Sequence, residues 1–197
     1  MNNTVFFVIA TIIGASLLLI LLSKNSTKTQ QQLSGATPAA TQSAILSVTP
    51  PATPSASVQA NTATIKTGKG DIVLTLFSDV SPKTVANFVQ KAQSGFYKNL
   101  SFHRVEDWVI QGGDPLGTGT GGGQMPTELN DKPFTTGSLG VARASDINIS
   151  NDAQFFITKK DSQFLNKQYT NFGMVAKGME VVEKIEVGDK ILEVTVE

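Results

Sequence analysis

The chain has no cysteine, one histidine and two arginines among its 197 residues. The first absence removes disulfides, thiolate metal sites and cysteine nucleophiles together. A single imidazole, His103, excludes a histidine-built metal centre, and no close carboxylate cluster stands in for one. No metal is therefore expected. No acidic side chain occurs before Asp71, and from Asn61 onward 14 basic residues face 16 acidic ones, a net charge of −2. Nucleic-acid binding needs clustered Lys and Arg, so a domain this close to neutral predicts no nucleic-acid partner.

Charge is also missing from Met1 to Ser23, where "VFFVIATIIGASLLLILL" (residues 5–22) runs apolar for 18 residues. As a helix this run would be ~27 Å long, close to the hydrocarbon thickness of a bilayer. No Lys or Arg precedes it and no A-x-A-like site comes after it, which favours a retained anchor over residues 1–23 rather than a cleaved signal. Residues 24–60 hold four of the eight prolines, no aromatic and no acid. Such a segment cannot bury enough apolar surface to offset its ordering entropy, and is expected to be a disordered tether with a reach of about 35 Å. Lys24 and Lys28 alone would keep the C-terminal part of the chain in the cytoplasm. A spacer of this kind nonetheless suits a domain held away from a membrane, so a single-pass cell-membrane protein with an extracytoplasmic domain is the expectation.

The folded part is expected to span 61–197. "TATIKTGKGDIVLTLF" predicts two strands around a turn at Gly68–Gly70, with Ile72, Leu74 and Leu76 alternating along the second. In "SPKTVANFVQKAQSGFY", Ser81 suits an N-cap, Pro82 the first helical position and Gly95 the stop, while Val85, Phe88, Val89 and Ala92 share one face. "GSLGVARA", "AQFFITKK", "NFGMVAKG" and "ILEVTVE" predict further short strands, and "GMEVVEKI" a second helix. Many short strands with two helices and no βαβ alternation point to an antiparallel barrel or sandwich. Nothing resembles a dimer seam, so a monomer is expected.

Chemistry concentrates in "SFHRVEDWVIQGGDPLGTGTGGG", residues 101–123, which holds the histidine, the only tryptophan and one arginine. The glycines lack the Lys-Ser/Thr of a phosphate-cradling loop, and no helix start comes after them. A hydrolytic triad fails on inventory: no activated nucleophile adjoins His103 and there is no GxSxG elbow. His103 is expected to be a packed, hydrogen-bonded structural residue. An arginine on a strand remains, with a tryptophan, a glutamine and a glycine loop after it.

Taken in order, "FHRV…VIQGGDPLGTGTGG", "GSLGVARAS", "NDAQFFIT" and "FLNKQYTNFGMVAKGMEVVEKI" closely resemble the cyclophilin-type peptidyl-prolyl cis-trans isomerases, from about Thr64 to Glu197. The resemblance implies a mainly β fold, a closed eight-stranded antiparallel β-barrel capped by two α-helices. It implies catalysis of X–Pro amide rotation in proline-containing segments of folding proteins, a reaction that breaks no bond and for which no cofactor is expected. By similarity Arg104 is the catalytic guanidinium and Gln111 orients it. Trp108, Val109, Phe156, Phe164 and Leu165 would wall the proline pocket, with Tyr169 on its rim. Ala142 and Arg143 would line the edge that pairs with substrate backbone, and Gln154 would contact the residue before proline. Phe88, Phe155 and Phe172 are assigned to the core. The stretch between Arg104 and Gln111 is one residue shorter than in the family, with Trp108 in place of a phenylalanine. That departure motivates the competing expectation of a membrane-tethered chaperone that binds proline segments without isomerising them, the indole blocking the pocket.

Overall fold

Alternation between apolar and polar residues builds the first hairpin. Strand β1 (Thr62–Thr67) buries Ala63, Ile65 and Thr67, and strand β2 (Gly70–Leu76) buries Ile72, Leu74 and Leu76. The turn between them is tied by the Thr67 hydroxyl, which donates to the Gly70 carbonyl at 2.8 Å. The computed structural model describes residues 61–197. The anchor and tether expected over 1–23 and 24–60 lie outside the described residues, and among the described ones no helix is long and apolar enough to cross a membrane.

Helix α1 (Pro82–Gln93) buries the predicted stripe of Val85, Phe88, Val89 and Ala92. Phe88 lies 5.3–5.9 Å, between ring centroids, from Tyr97, Phe172 and Phe155. The start of the helix departs from expectation. Ser81 makes no side-chain cap, because its hydroxyl donates to the Asn171 carbonyl and accepts from Asn130 Nδ2. The cap comes from Glu128 instead: its carboxylate accepts from the backbone N–H groups of Lys83 (3.1 Å) and Thr84 (2.7 Å) and from the Thr84 hydroxyl. A carboxylate satisfies two orphan donors and meets the positive end of the helix dipole. At the other end Gly95 takes the left-handed conformation expected of a helix stop, φ +72°.

The remaining strands are β3 (Arg104–Val105), β4 (Val109–Gly112), β5 (Gln124–Pro126), β6 (Ser138–Val141), β7 (Ile149–Asn151), β8 (Phe155–Thr158), β9 (Asn171–Lys177) and β10 (Ile191–Val196). A 3₁₀ turn covers Gln163–Leu165, and helix α2 spans Met179–Val182. Eight strands form one antiparallel sheet in the order β10-β1-β2-β9-β6-β8-β4-β3, while β5 and β7 pair separately as a ribbon. That ribbon escapes a reading by periodicity because its strands are only three residues each.

The closed barrel is corrected to a curled open sheet. Its two ends meet at a single bridge, Ser101 with Lys190, and through backbone hydrogen bonds between 99–102 and 188–191. Asn99 at φ 65° and Gly188 at φ 94° break the extended run on either side of this seam, so no continuous ladder crosses it. The core inside the sheet gathers Ile65, Leu74, Phe88, Phe102, Ile110, Leu139, Phe155, Phe172 and Ile191, all nearly inaccessible. Phe88, Phe155 and Phe172 sit where core packing was expected.

Glu128→Ala removes the side chain that holds the first-turn donors of α1, so it is expected to cost about 1–2 kcal/mol of stability. Chemical denaturation of parent and variant measures this, and Ser81→Gly should leave the same helix start capped.

Candidate active site

Strands β3 and β4 form a two-rung ladder in which Arg104 faces Gln111 and Val105 faces Ile110. Directly opposed residues share a sheet face, so the arginine and the glutamine point the same way. Arg104 Nη1 donates to Gln111 Oε1 at 3.2 Å. The relay continues: Gln111 Nε2 donates to Gln154 Oε1 at 2.8 Å, and Gln154 Nε2 to the Gly121 carbonyl at 2.7 Å. Gln154 is itself buried, with its backbone N–H bonded to Asn151 Oδ1. A buried amide with both ends engaged has one orientation, which it imposes on Gln111 and through it on Arg104.

Beside this relay lies a hollow of about 90 Å³ lined by Arg104, Trp108, Val109, Gln111, Ala142, Arg143, Phe156, Leu165 and Tyr169. Nine of the eleven residues assigned by resemblance therefore meet at one place. Val109, Phe156 and Leu165 form a buried apolar cluster distinct from the main core, with Trp108 and Tyr169 partly buried against it. Register explains the floor: Phe156 is the β8 partner of Gln111 on one side and of Gly140 on the other. A Cβ at position 140 would fall inside the Phe156 ring, so the glycine of "SLGV" is what lets that ring lie flat.

Two assigned residues sit elsewhere. Phe164 is 67% exposed and packs edge-on against Trp108 at 5.3 Å, outside the hollow. The 3₁₀ turn points Leu165 inward and leaves its neighbour outward. Gln154 lines an adjoining groove of about 440 Å³ bounded by the glycine loop and residues 142–146. Trp108 does not plug the hollow. It forms one wall, with its indole N–H donated to Glu106 at 2.8 Å. The edge at 142–143 also divides. Ala142 uses both backbone groups internally, its N–H on Gln154 O and its carbonyl on Asn151 N. Arg143 keeps its backbone groups free of protein partners among the described residues. Its guanidinium folds over Tyr169, 4.5 Å from the ring centroid, and donates to the carbonyls of Gln168, Ala144 and Ser145.

Three contributors were not singled out from sequence. Phe134, fully buried, stacks on Phe156 at 5.7 Å and supports the floor; it comes from the loop "DKPFTTG", which has no periodicity to flag it. Glu106 accepts from Arg104 Nε at 2.7 Å. That bond from Arg104, with help from Trp108, holds the Glu106 carboxyl below its ordinary pKa despite slight desolvation. An ion pair this open to solvent contributes little to stability. Asp114, 1% exposed, accepts from the backbone N–H groups of Leu116, Thr118 and Gly119. Burial alone would raise its pKa, but those donors bring it below the usual carboxylate range. Amides in "GDPLGTGTGG" thus serve an internal carboxylate and are not turned toward a phosphate. His103 is packed as expected but not hydrogen-bonded: neither ring nitrogen has a partner among the described residues. Burial holds its pKa below the ordinary histidine value, with Asp114 opposing the shift.

An oriented guanidinium beside a small apolar hollow, with free backbone groups along one edge, is a site for a short extended peptide carrying one compact apolar ring. It contains no nucleophile. The sequence profile of the cyclophilin type peptidyl-prolyl cis-trans isomerases matches residues 62–196. A peptidyl-prolyl cis-trans isomerase of Synechococcus elongatus is 41% identical over 139 residues, covering 68% of this chain and 94% of that one. One from Helicobacter pylori is 43% identical over 136 residues, covering 66% and 82%. Among solved structures, a cyclophilin type isomerase of Cryptosporidium parvum, crystallised in the presence of the dipeptide Ala-Pro, superposes with a TM-score of 0.65 at 31% identity, covering 69% of this chain and 98% of its own. The chain belongs to the cyclophilin-type peptidyl-prolyl cis-trans isomerases. It is an enzyme that accelerates cis-trans rotation about X–Pro amides.

Gly140→Ala is expected to force the Phe156 ring out of place. Overpacking of this kind costs roughly 1–3 kcal/mol, so KM for a proline peptide should rise by about tenfold while the fold persists. Steady-state kinetics with a circular-dichroism control reads both.

Proposed function

We propose that Arg104 is the group that accelerates the rotation and that the hollow bounded by Val109, Phe156 and Leu165 receives the proline ring. The observation that carries this is the union, in one open site, of a fixed guanidinium and an apolar niche of about 90 Å³. The uncatalysed barrier is ~18–20 kcal/mol because rotation destroys amide resonance. As the amide twists, its lone pair returns to the proline nitrogen, which becomes a hydrogen-bond acceptor only near the transition state. A donor waiting there binds the twisted form better than either planar isomer, which is the condition for catalysis. Gln111 and Glu106 use one N–H each of the five on the guanidinium, and three stay available. Anchoring the ring while the preceding carbonyl swings requires backbone contacts on the amino-terminal side, for which the free N–H and carbonyl of Arg143 are placed along the edge.

Trp108 standing as a wall leaves the hollow open, so the reading as a binder without catalysis has no support from a blocked pocket. On the cellular side, the uncharged run over 5–22 and the proline-rich residues 24–60 support a single-pass anchor with a tether, the isomerase domain acting as a monomer outside the cytoplasm on unfolded client segments.

Arg104→Ala should lower kcat/KM by about tenfold or more with unchanged folding, since loss of one preorganised donor commonly costs more than that. A protease-coupled assay on a proline tetrapeptide measures it, and parent-like activity removes Arg104 from the mechanism. For the anchor, the full-length chain should stay in the membrane pellet after alkaline carbonate washing and be digested by protease added to intact cells with the outer layers opened. Release into the wash, or protection from the protease, refutes the tether or its orientation respectively.

A further inference from the structure

The turn that joins β3 to β4 brings three side chains into mutual contact at a spacing of two: Arg104, Glu106 and Trp108. It is closed by the Glu106 N–H on the Val109 carbonyl at 2.8 Å. One carboxylate then serves two donors, with Arg104 Nε on Oε1 at 2.7 Å and Trp108 Nε1 on Oε2 at 2.8 Å. The guanidinium carbon lies 5.3 Å from the indole centroid, which closes the triangle. We propose that Glu106 is a positioning residue of the isomerase site, a clamp that sets the guanidinium and the indole wall relative to each other.

The geometry gives the clamp a definite job. Gln111 holds only Nη1, and one hydrogen bond leaves a guanidinium free to pivot about it. A second bond at Nε fixes the plane of the group beside the hollow that Arg104 lines. The same carboxylate pins the indole by its only polar atom, so Trp108 cannot swing across the opening. Salt-bridge strength does not explain the arrangement, because both partners are partly open to solvent, at 40% and 45% side-chain exposure. Its effect is therefore on the reacting geometry, where small misplacements of a donor matter most.

This inference rests on Arg104 being the rate-accelerating donor, and the test separates the two. In the full-length chain, Glu106→Gln keeps shape and loses the second acceptor, since an amide presents one oxygen and one NH₂; one of the two N–H donors must then face another donor. The expected result is a fall of about tenfold in kcat/KM, carried mainly by kcat because the donor acts in the transition state. Trp108 is the sole tryptophan, so its emission should shift and become more accessible to a neutral quencher. In an Arg104→Ala background the same substitution should cost nothing further in kcat. Kinetics within about twofold of the parent for Glu106→Gln, or an equal fractional loss in the Arg104→Ala background, overturns the clamp. Full activity in Arg104→Ala overturns the underlying reading instead. Should Glu106→Gln fold poorly, Trp108→Phe removes the other half of the clamp and keeps an aromatic wall; unchanged kcat together with an unchanged response to Glu106→Asp also overturns the proposal.

Discussion

Everything in this site depends on holding one guanidinium still. An arginine has four flexible side-chain torsions, and on an exposed strand its charge would sample many directions. Here a cross-strand neighbour, itself held by a buried amide, and a carboxylate in the turn restrict it from two sides. The relay from Gly121 through Gln154 and Gln111 reaches from the glycine loop into the sheet, so an apparently featureless loop carbonyl helps set the direction of a charged group three hydrogen bonds away. Preorganisation of this kind places the orientation cost in folding rather than in each catalytic turn.

The apolar half of the site is a by-product of the sheet's register. Phe156 lies between Gln111 and Gly140 on adjacent strands, so the ring is presented to the hollow only because one neighbour is a glutamine directed along the surface and the other has no side chain. Phe134 then supports it from below. The main core and this smaller cluster are separate. That separation lets the fold tolerate a hollow: the empty space is walled by a satellite cluster and does not interrupt the packing that stabilises the sheet.

Much of the fold was legible in the chain. The first hairpin and the buried stripe of α1 follow from period-two and period-3.6 patterning, because one-sided burial imposes those periods; four later strands show instead as short runs set off by turn residues, β6 and β8 being buried at every position. The ribbon of β5 and β7 was not legible, since strands of three residues are too short to carry a period. Ser81 is the N-cap residue as expected, but its side-chain cap is absent for a related reason. Ser81 has the right chemistry at the right place, but Asn130 and the Asn171 carbonyl compete for its hydroxyl, and Glu128, 44 residues beyond Thr84 in the chain, takes the role. Local pattern cannot register a competitor supplied by tertiary contact.

Residue types and order excluded thiol chemistry, a histidine-built metal centre and a histidine-based triad, and the joint motifs carried the resemblance to the family. The tertiary structure decided how the parts meet. It turned Phe164 out and Leu165 in, left the sheet open at an irregular seam, made Trp108 a wall, and brought Glu106 between the arginine and the indole. The physical reason is one of range. Burial periodicity and turn preferences are written in neighbouring residues, whereas the direction of a side chain in a shared hollow depends on which distant donors and acceptors have already been satisfied.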